Sequence, residues 1–303
     1  MQDSKILIDW IGVTCTLTNP VDQLCACIPY SIADFVALPS GGLGYKQAIT
    51  YLSSTIYYDG SKDMGAHLRI TGQGCRALEA HDINLFAWCA FVVELDGMTF
   101  TRLDIACDTS RDILSPTVDA LATGLYSSKA RKCNVISSAG PDGLSASTCY
   151  IGSRQSGVFI RIYDKAAERG LSSVDWYRAE LEIKKGYIDK AIALTKVSPS
   201  KAFANIIGTY FRPLARKVRP VTRSPTAPWW LDFLGEVERV SLVSDPQLPT
   251  IEAKYAWLQK QAAPTFALLT KAFGNDAWIK ALTKEGEGRL KDIDWRLIEA
   301  WRE

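Results

Sequence analysis

Three segments of this chain alternate apolar and charged residues with a period of two, and no other feature constrains its fold as strongly. In TRLDIACD, Leu103, Ile105 and Cys107 fall on one side, and Arg102, Asp104 and Asp108 on the other. In WYRAELEIK, Tyr177, Ala179, Leu181 and Ile183 share an apolar side opposite Arg178, Glu180, Glu182 and Lys184. In FIRIYDK, Ile160 and Ile162 oppose Arg161, Tyr163 and Lys165. Successive side chains leave a strand on opposite faces, so each segment is a strand with a core face and a charged face. If the three belong to one sheet, carboxylates, arginines and a tyrosine collect on a single surface.

The rest of the first two thirds supplies more strands and the helices to cover them. KILIDWIGVTCTL reads as a strand, and GAHLRITGQG as a half-buried strand that breaks into a turn at Gly72 and Gly74. Residues 75–96 are largely apolar without Gly or Pro and are expected as one helix packed on the sheet. Ser115 and Pro116 open a short helix through Thr123. Strands follow at residues 132–138, 146–153, 157–164 and 175–184, with GSRQSG turning a hairpin between the second and third. KAAERG gives a helical turn, residues 186–196 a helix, and Ser198 with Pro199 caps another through Tyr210. This mixture predicts an α+β fold, a largely antiparallel sheet with packed helices.

After Tyr210 the character changes. FRPLARKVRPVTRSPTAP carries five basic residues and four prolines and is read as a linker, with a boundary near Ser224. Two domains are therefore expected, 1–223 and an all-helical 224–303. The helical region contains WWLDFLGEVERV, a long segment capped by Thr250, kinked or split at Pro264 and ended by Gly274, then NDAWIKAL and DIDWRLIEAWRE.

Composition narrows the chemistry. At 303 residues with 47% hydrophobic side chains the chain can build a sizeable core. Its longest apolar stretch, 83–95, is interrupted by Asn84 and Glu94 and falls short of the ~20 residues of a membrane span. MQDSKILIDW has no secretory pattern, so a cytoplasmic protein with no membrane partner is expected. The 8 cysteines form no C-x-x-C pair and read as reduced core thiols. The only histidines, His67 and His81, are too far apart for a local metal motif; His67 reads as a structural hydrogen-bonding residue. A metal would therefore be held by carboxylates, which favours Mg or Mn. A formal charge of +2 says little about partners, whereas Arg212, Arg216, Lys217, Arg219 and Arg223 make a local positive field suited to a DNA backbone.

The bland account of the charged face is a solvated surface with cross-strand ion pairs. The chemical account is that clustered carboxylates hold a divalent ion, arginines bind phosphate oxygens, and a tyrosine hydroxyl attacks phosphorus. Glu182 and Asp108 are weaker candidates as ligands, since strand ends are often merely solvated. Arg154 in the hairpin turn either grips a phosphate or only solubilises the turn. Gly72-x-Gly74 lacks the third glycine of a dinucleotide site and is read as turn chemistry. Trp229, Trp230, Trp257, Trp278, Trp295 and Trp301 read as core side chains.

TRLDIACD, TCYIGSRQSGVFIRIYDKAAERG and WYRAELEIKKG together resemble the replication initiation factor family of rolling-circle plasmids, conjugative elements and filamentous phages. IDWIGVTCT and GAHLRITGQGCRALE also fit, so the resemblance covers about residues 5 to 200, and the run from WWLDFLG is similar to the helical tail of phage-type members. The resemblance implies a metal-dependent enzyme that nicks one strand at an origin, keeps the 5' phosphate on a tyrosine and frees a 3' hydroxyl primer. The tyrosine of RIYDK is Tyr163, with Lys165 beside it, and the acidic strands supply Asp104 and Glu180 for Mg or Mn. Arg102, Arg154, Arg161, Arg178, Arg216 and Arg219 are the expected DNA contacts. Implied partners are duplex and single-stranded origin DNA and a host helicase and polymerase; a homodimer is left open. Tyr163 is preferred because Arg161 and Lys165 flank it and are expected to lower its phenol pKa, with Tyr150 as runner-up and Tyr177 turned to the core. The competing readings are an origin or operator regulator that binds without cleaving, and a nuclease that activates water and leaves no adduct.

Overall fold

The three alternating segments lie side by side in the middle of one sheet. The computed structural model describes residues 4–139, 145–171, 174–184, 186–243 and 258–290, with 255, 295 and 298. Its elements begin with β1 (Lys5–Cys15), α1 (Pro20–Ala26), β2 (Val36–Ala37), β3 (Gln47–Tyr51), β4 (Ser54–Tyr58) and β5 (Ala66–Ile70). Next come α2 (Gly72–Ala80), α3 (Leu85–Val92), β6 (Met98–Thr109), α4 (Leu114–Thr123), β7 (Tyr126–Ser128), β8 (Cys133–Ala139) and β9 (Ser145–Ile151). Then follow β10 (Val158–Asp164), α5 (Lys165–Glu168), β11 (Tyr177–Lys184), α6 (Ile188–Val197), α7 (Pro199–Tyr210), β12 (Phe211–Pro213) and α8 (Pro228–Val243).

Among the described residues the fold is α+β, built on a ten-stranded antiparallel sheet in the order β2-β3-β4-β5-β1-β6-β11-β10-β9-β8. The register sets Asp104 opposite Glu182 and Asp108 opposite Arg178 between β6 and β11. Between β11 and β10 it sets Glu180 opposite Arg161 and Arg178 opposite Tyr163. One face of the sheet is apolar: Val13, Leu68, Ile105, Leu181 and Ile162 are buried there with Leu78, Trp88, Ile192 and Phe203 from the helices. Burying the apolar sides of so many strands against helices is the main stabilising term, at roughly 25 cal/mol per Å² removed from water. Because the side-chain period is two, the same packing holds the charged sides on the other face.

Several local expectations are corrected. Residues 75–96 form two helices, because Asp82 adopts a left-handed φ of 60° and the Asn84 side chain accepts from Ala87 N to start α3. The Gly72-x-Gly74 step is not a turn but the first residues of α2. A Cβ at Gly74 would lie 2.7 Å from Ser53 O, so that glycine permits a close approach of helix and loop. In α4 the cap is Asp112, which accepts from Leu114 N and Ser115 N, both at 2.9 Å, and not Ser115. Ser198 and Pro199 start α7 as expected, with Ser198 Oγ accepting from Lys201 N. The outer strands β2, β3 and β4 had no strong pattern, and they widen the sheet well beyond its charged centre.

The basic segment is not a free tether. β12 pairs with β7, Leu214 bridges Thr226, and Arg212 donates to Ser224 O at 2.6 Å and Thr226 Oγ1 at 3.2 Å. Arg212 thus acts within the fold and is withdrawn as a backbone clamp. The chain divides into two compact units, Met1–Val243 and Ser244–Glu303, so the first extends past Ser224 to include α8. Trp230 and Phe233 of α8 are fully buried. The second unit contains a π-helical turn Leu258–Ala262, α9 (Ala263–Phe273) with Pro264 at its start and Gly274 at its end, and α10 (Ala277–Glu287). Thr250, Trp257, Trp301 and most of DIDWRLIEAWRE lie outside the described residues. All eight cysteines are free thiols.

Phe203 is fully buried between helices and sheet. Phe203→Ala should lower unfolding free energy by about 3–5 kcal/mol, read from urea melts at constant m-value. A loss below about 1 kcal/mol would show that the site collapses without a cavity.

Candidate active site

The charged face centres on Asp104, only 1% exposed. Arg102, on the same strand, grips it with Nε at 2.8 Å from Oδ1 and Nη2 at 2.6 Å from Oδ2, and also reaches Glu182 Oε2 at 3.1 Å. From β10, Arg161 bridges to β6 and β11: its Nη2 lies 3.4 Å from Asp104 Oδ2 and bonds Glu180 Oε1. Lys184 stands 3.4 Å from Glu182 Oε1. Two rows away Arg178 binds Asp108 through two contacts, at 2.6 and 2.8 Å, and Asp9 at 2.8 Å. Ionised groups this deep need such partners, since an unpaired buried charge is strongly unfavourable.

Tyr163 sits at the edge of this network and donates to Glu180 Oε2 at 3.3 Å. The expectation that flanking cations lower its phenol pKa is overturned: burial raises it well above the ordinary value, and Glu180 adds to the rise. Arg161 is committed to Glu180 and Asp104, while Lys165, 5% exposed, pairs with Glu168 and lies 5.5 Å from the Tyr163 ring centroid. Tyr150 pairs across from Arg161 and therefore shares the face, its ring stacked on Phe159 at 5.8 Å. Tyr177 lies on the opposite face, as its parity required.

The structure thus brings Asp104, Glu180, Tyr163, Arg102 and Arg161 together. Arg178, named as a DNA contact, is 4% exposed and engaged with Asp108 and Asp9, which keeps it from DNA. Arg154, Arg216 and Arg219 are exposed and away from this cluster. Sequence reasoning missed Asp9, Trp10 and Arg69. A register shift in β1 between Ile8 and Trp10 brings Asp9 to Arg178, and parity alone does not reveal such a shift.

No set of three or more His, Cys, Asp or Glu donors converges among the described residues. Asp104 and Glu180 nonetheless suit a hard cation. The Asp104 carboxyl is pushed up to about 8 by burial, Arg102 opposing and the Glu180 charge reinforcing the rise. Such crowding of carboxylate charge favours a positive ion, and Mg is commonly held by one or two carboxylates plus water and substrate phosphates.

Known proteins were then compared. The family model described as replication initiation factor matches residues 98–283. The chain belongs to this family. The N-terminal part matches the model of the rolling circle replication initiation protein N-terminal domain over residues 5–92. This initiation factor is 28% identical over 286 residues to the putative DNA relaxase NicK of Bacillus subtilis (strain 168), covering 88% of this chain and 81% of the relative. Among solved structures it is similar to a rolling circle replication initiator protein from Geobacillus stearothermophilus, with a TM-score of 0.71 and 27% identity. That match covers 78% of this chain and 97% of the other. Among the described residues no helix is long and apolar enough to cross a membrane.

His67 bonds Thr14 Oγ1 at 3.0 Å, and burial followed by the nearby Arg69 lowers its imidazole pKa to about 4. A depressed folded-state value means the unfolded chain binds the proton first, so stability should fall as pH drops from about 6.5 to about 4. With 2 histidines in the chain, NMR titration can follow both rings. A His67 midpoint near 6.5 would refute this burial effect.

Proposed function

We propose that this protein nicks one DNA strand at a replication origin through Tyr163, starting rolling-circle replication with a 5'-phosphotyrosine and a free 3' hydroxyl. One observation carries the reading: the Tyr163 hydroxyl is seated 3.3 Å from Glu180 Oε2, on the face shared with Asp104 and Arg161. Membership of the replication initiation factor family, and relatives named as a DNA relaxase and a rolling circle initiator, support the reaction class.

In the proposed step the phenol oxygen bonds to phosphorus and the bond from phosphorus to the 3' oxygen breaks. The phenol proton moves to Glu180 Oε2, and the departing oxygen takes a proton from water. A phenol held protonated by burial needs an acceptor already in place, which is the part assigned to Glu180. Arg161 has a buried Nε without a hydrogen-bond partner among the described residues, and a phosphate oxygen would satisfy it. Lys165, beside the ring and paired with Glu168, is assigned to positioning the tyrosine. Asp104 and Glu180 would hold Mg or Mn, an ion that when bound neutralises and polarises the phosphodiester.

Arg102 borders the scissile group, while exposed Arg154, Arg216 and Arg219 contact flanking phosphates. Nicking is assigned to residues 1–223, with the helical region from 224 supporting duplex origin binding. The freed 3' hydroxyl then serves a host helicase and polymerase in the cytoplasm.

Incubation with labelled origin oligonucleotide and Mn, followed by a denaturing gel, tests this directly. The parent should form a covalent adduct, and Tyr163→Phe should bind the oligonucleotide as the parent does yet form none. An adduct in that variant, or peptide mapping to Tyr150, would overturn the assignment; no adduct from the parent would favour a non-cleaving regulator.

Asp104→Asn and Glu180→Gln should each cut nicking by at least ~100-fold, as should excess chelator with the parent. Undiminished nicking in both variants would remove the carboxylates from the chemistry.

A further inference from the structure

We infer that β4, β5 and β1, beside the proposed nicking site, form a stacking platform for unpaired bases of a single DNA strand. The inference rests on the nicking reading, because Arg102 belongs to both places. Its guanidinium holds Asp104 on one side and lies 4.5 Å from the Trp10 ring centroid on the other. Arg69 covers the same indole from the next strand at 6.0 Å, and the Tyr57 ring at 4.9 Å. Tyr57 in turn lies 6.3 Å from the His67 ring. Planar side chains thus run without a break from β4 to β6 and end at the buried carboxylates.

Three observations favour unpaired bases over a plain solvated surface. Arg102, Arg161 and Arg178 are all tied to carboxylates, whereas among the described residues Arg69 makes no ion pair and its buried Nε has no hydrogen-bond partner. The register places Gly12 between Arg69 on one side and Arg102 on the other, so no side chain rises between the two guanidinium groups. Trp10 and Arg69 are only half-buried, leaving ring faces and edges accessible. At about 4.8 Å per strand the four strands span roughly 14 Å, room for a short run of bases. Bases in a duplex are already stacked on each other, so planes of this kind select single strands and tolerate any sequence.

The test uses the full chain and three fluorescent probes: a single-stranded oligo(dT), an abasic oligonucleotide of the same length and charge, and a duplex. The parent should bind oligo(dT) at least ~10-fold more tightly than the abasic strand. Trp10→Leu and Arg69→Lys should each weaken oligo(dT) binding by about 10-fold and leave abasic and duplex affinities unchanged. Arg69→Lys keeps the charge and loses the plane, so full retention of oligo(dT) affinity in that variant would overturn the platform. Equal parent affinity for oligo(dT) and the abasic strand would overturn it too, without reference to any variant's folding. Adduct formation by Tyr163 is scored separately, so the nicking reading can stand when the platform falls, and the reverse.

Discussion

The burial of Asp104 governs much of what surrounds it. A carboxylate this deep in a sheet must be met by cations or stay protonated, and Arg102 and Arg161 approach it from two strands. Those arginines in turn draw in Glu182 and Glu180, whose second oxygens are left for Lys184 and the Tyr163 hydroxyl. The network is therefore held by mutual need: removing one member leaves another charge buried without a partner. A catalytic group placed at its edge inherits that rigidity, which serves chemistry that depends on orientation.

The same network explains why the nucleophile candidate is not activated at rest. Burial and Glu180 both disfavour the phenolate, and the cations closest in sequence are engaged elsewhere. Charge brought by substrate and ion, together with an acceptor already hydrogen-bonded, would have to change that balance. A tyrosine that remains protonated until DNA arrives is protected from unwanted reaction.

The central architecture was legible because its signal is local and repeated. Parity in TRLDIACD, FIRIYDK and WYRAELEIK assigned Asp104, Glu180, Arg161 and Tyr163 to one face, and the register confirms that they share it. Ser198 with Pro199 marked the start of α7 for an equally local reason, the capping of free N–H groups. The segment 75–96 was harder, since its apolar content says nothing of the left-handed Asp82 that divides it. The basic run after Tyr210 read as a tether because prolines and cations suggest solvent. Pairing of β12 with β7 and the Arg212 contacts to Ser224 O and Thr226 are long-range and leave no periodic trace.

The sequence by itself determined which side chains each strand presents to the charged face, because alternation is a property of the backbone. It also determined the donor types available there, carboxylate oxygens with arginines and no paired histidines. Only the tertiary structure decided which charges neutralise each other. Arg178 became a buried partner of Asp108 and Asp9, Lys165 turned to Glu168, and the Tyr163 phenol rose instead of falling. Neighbours in sequence share a strand, but the field at a buried group is set by the strands across from it and by the water they exclude.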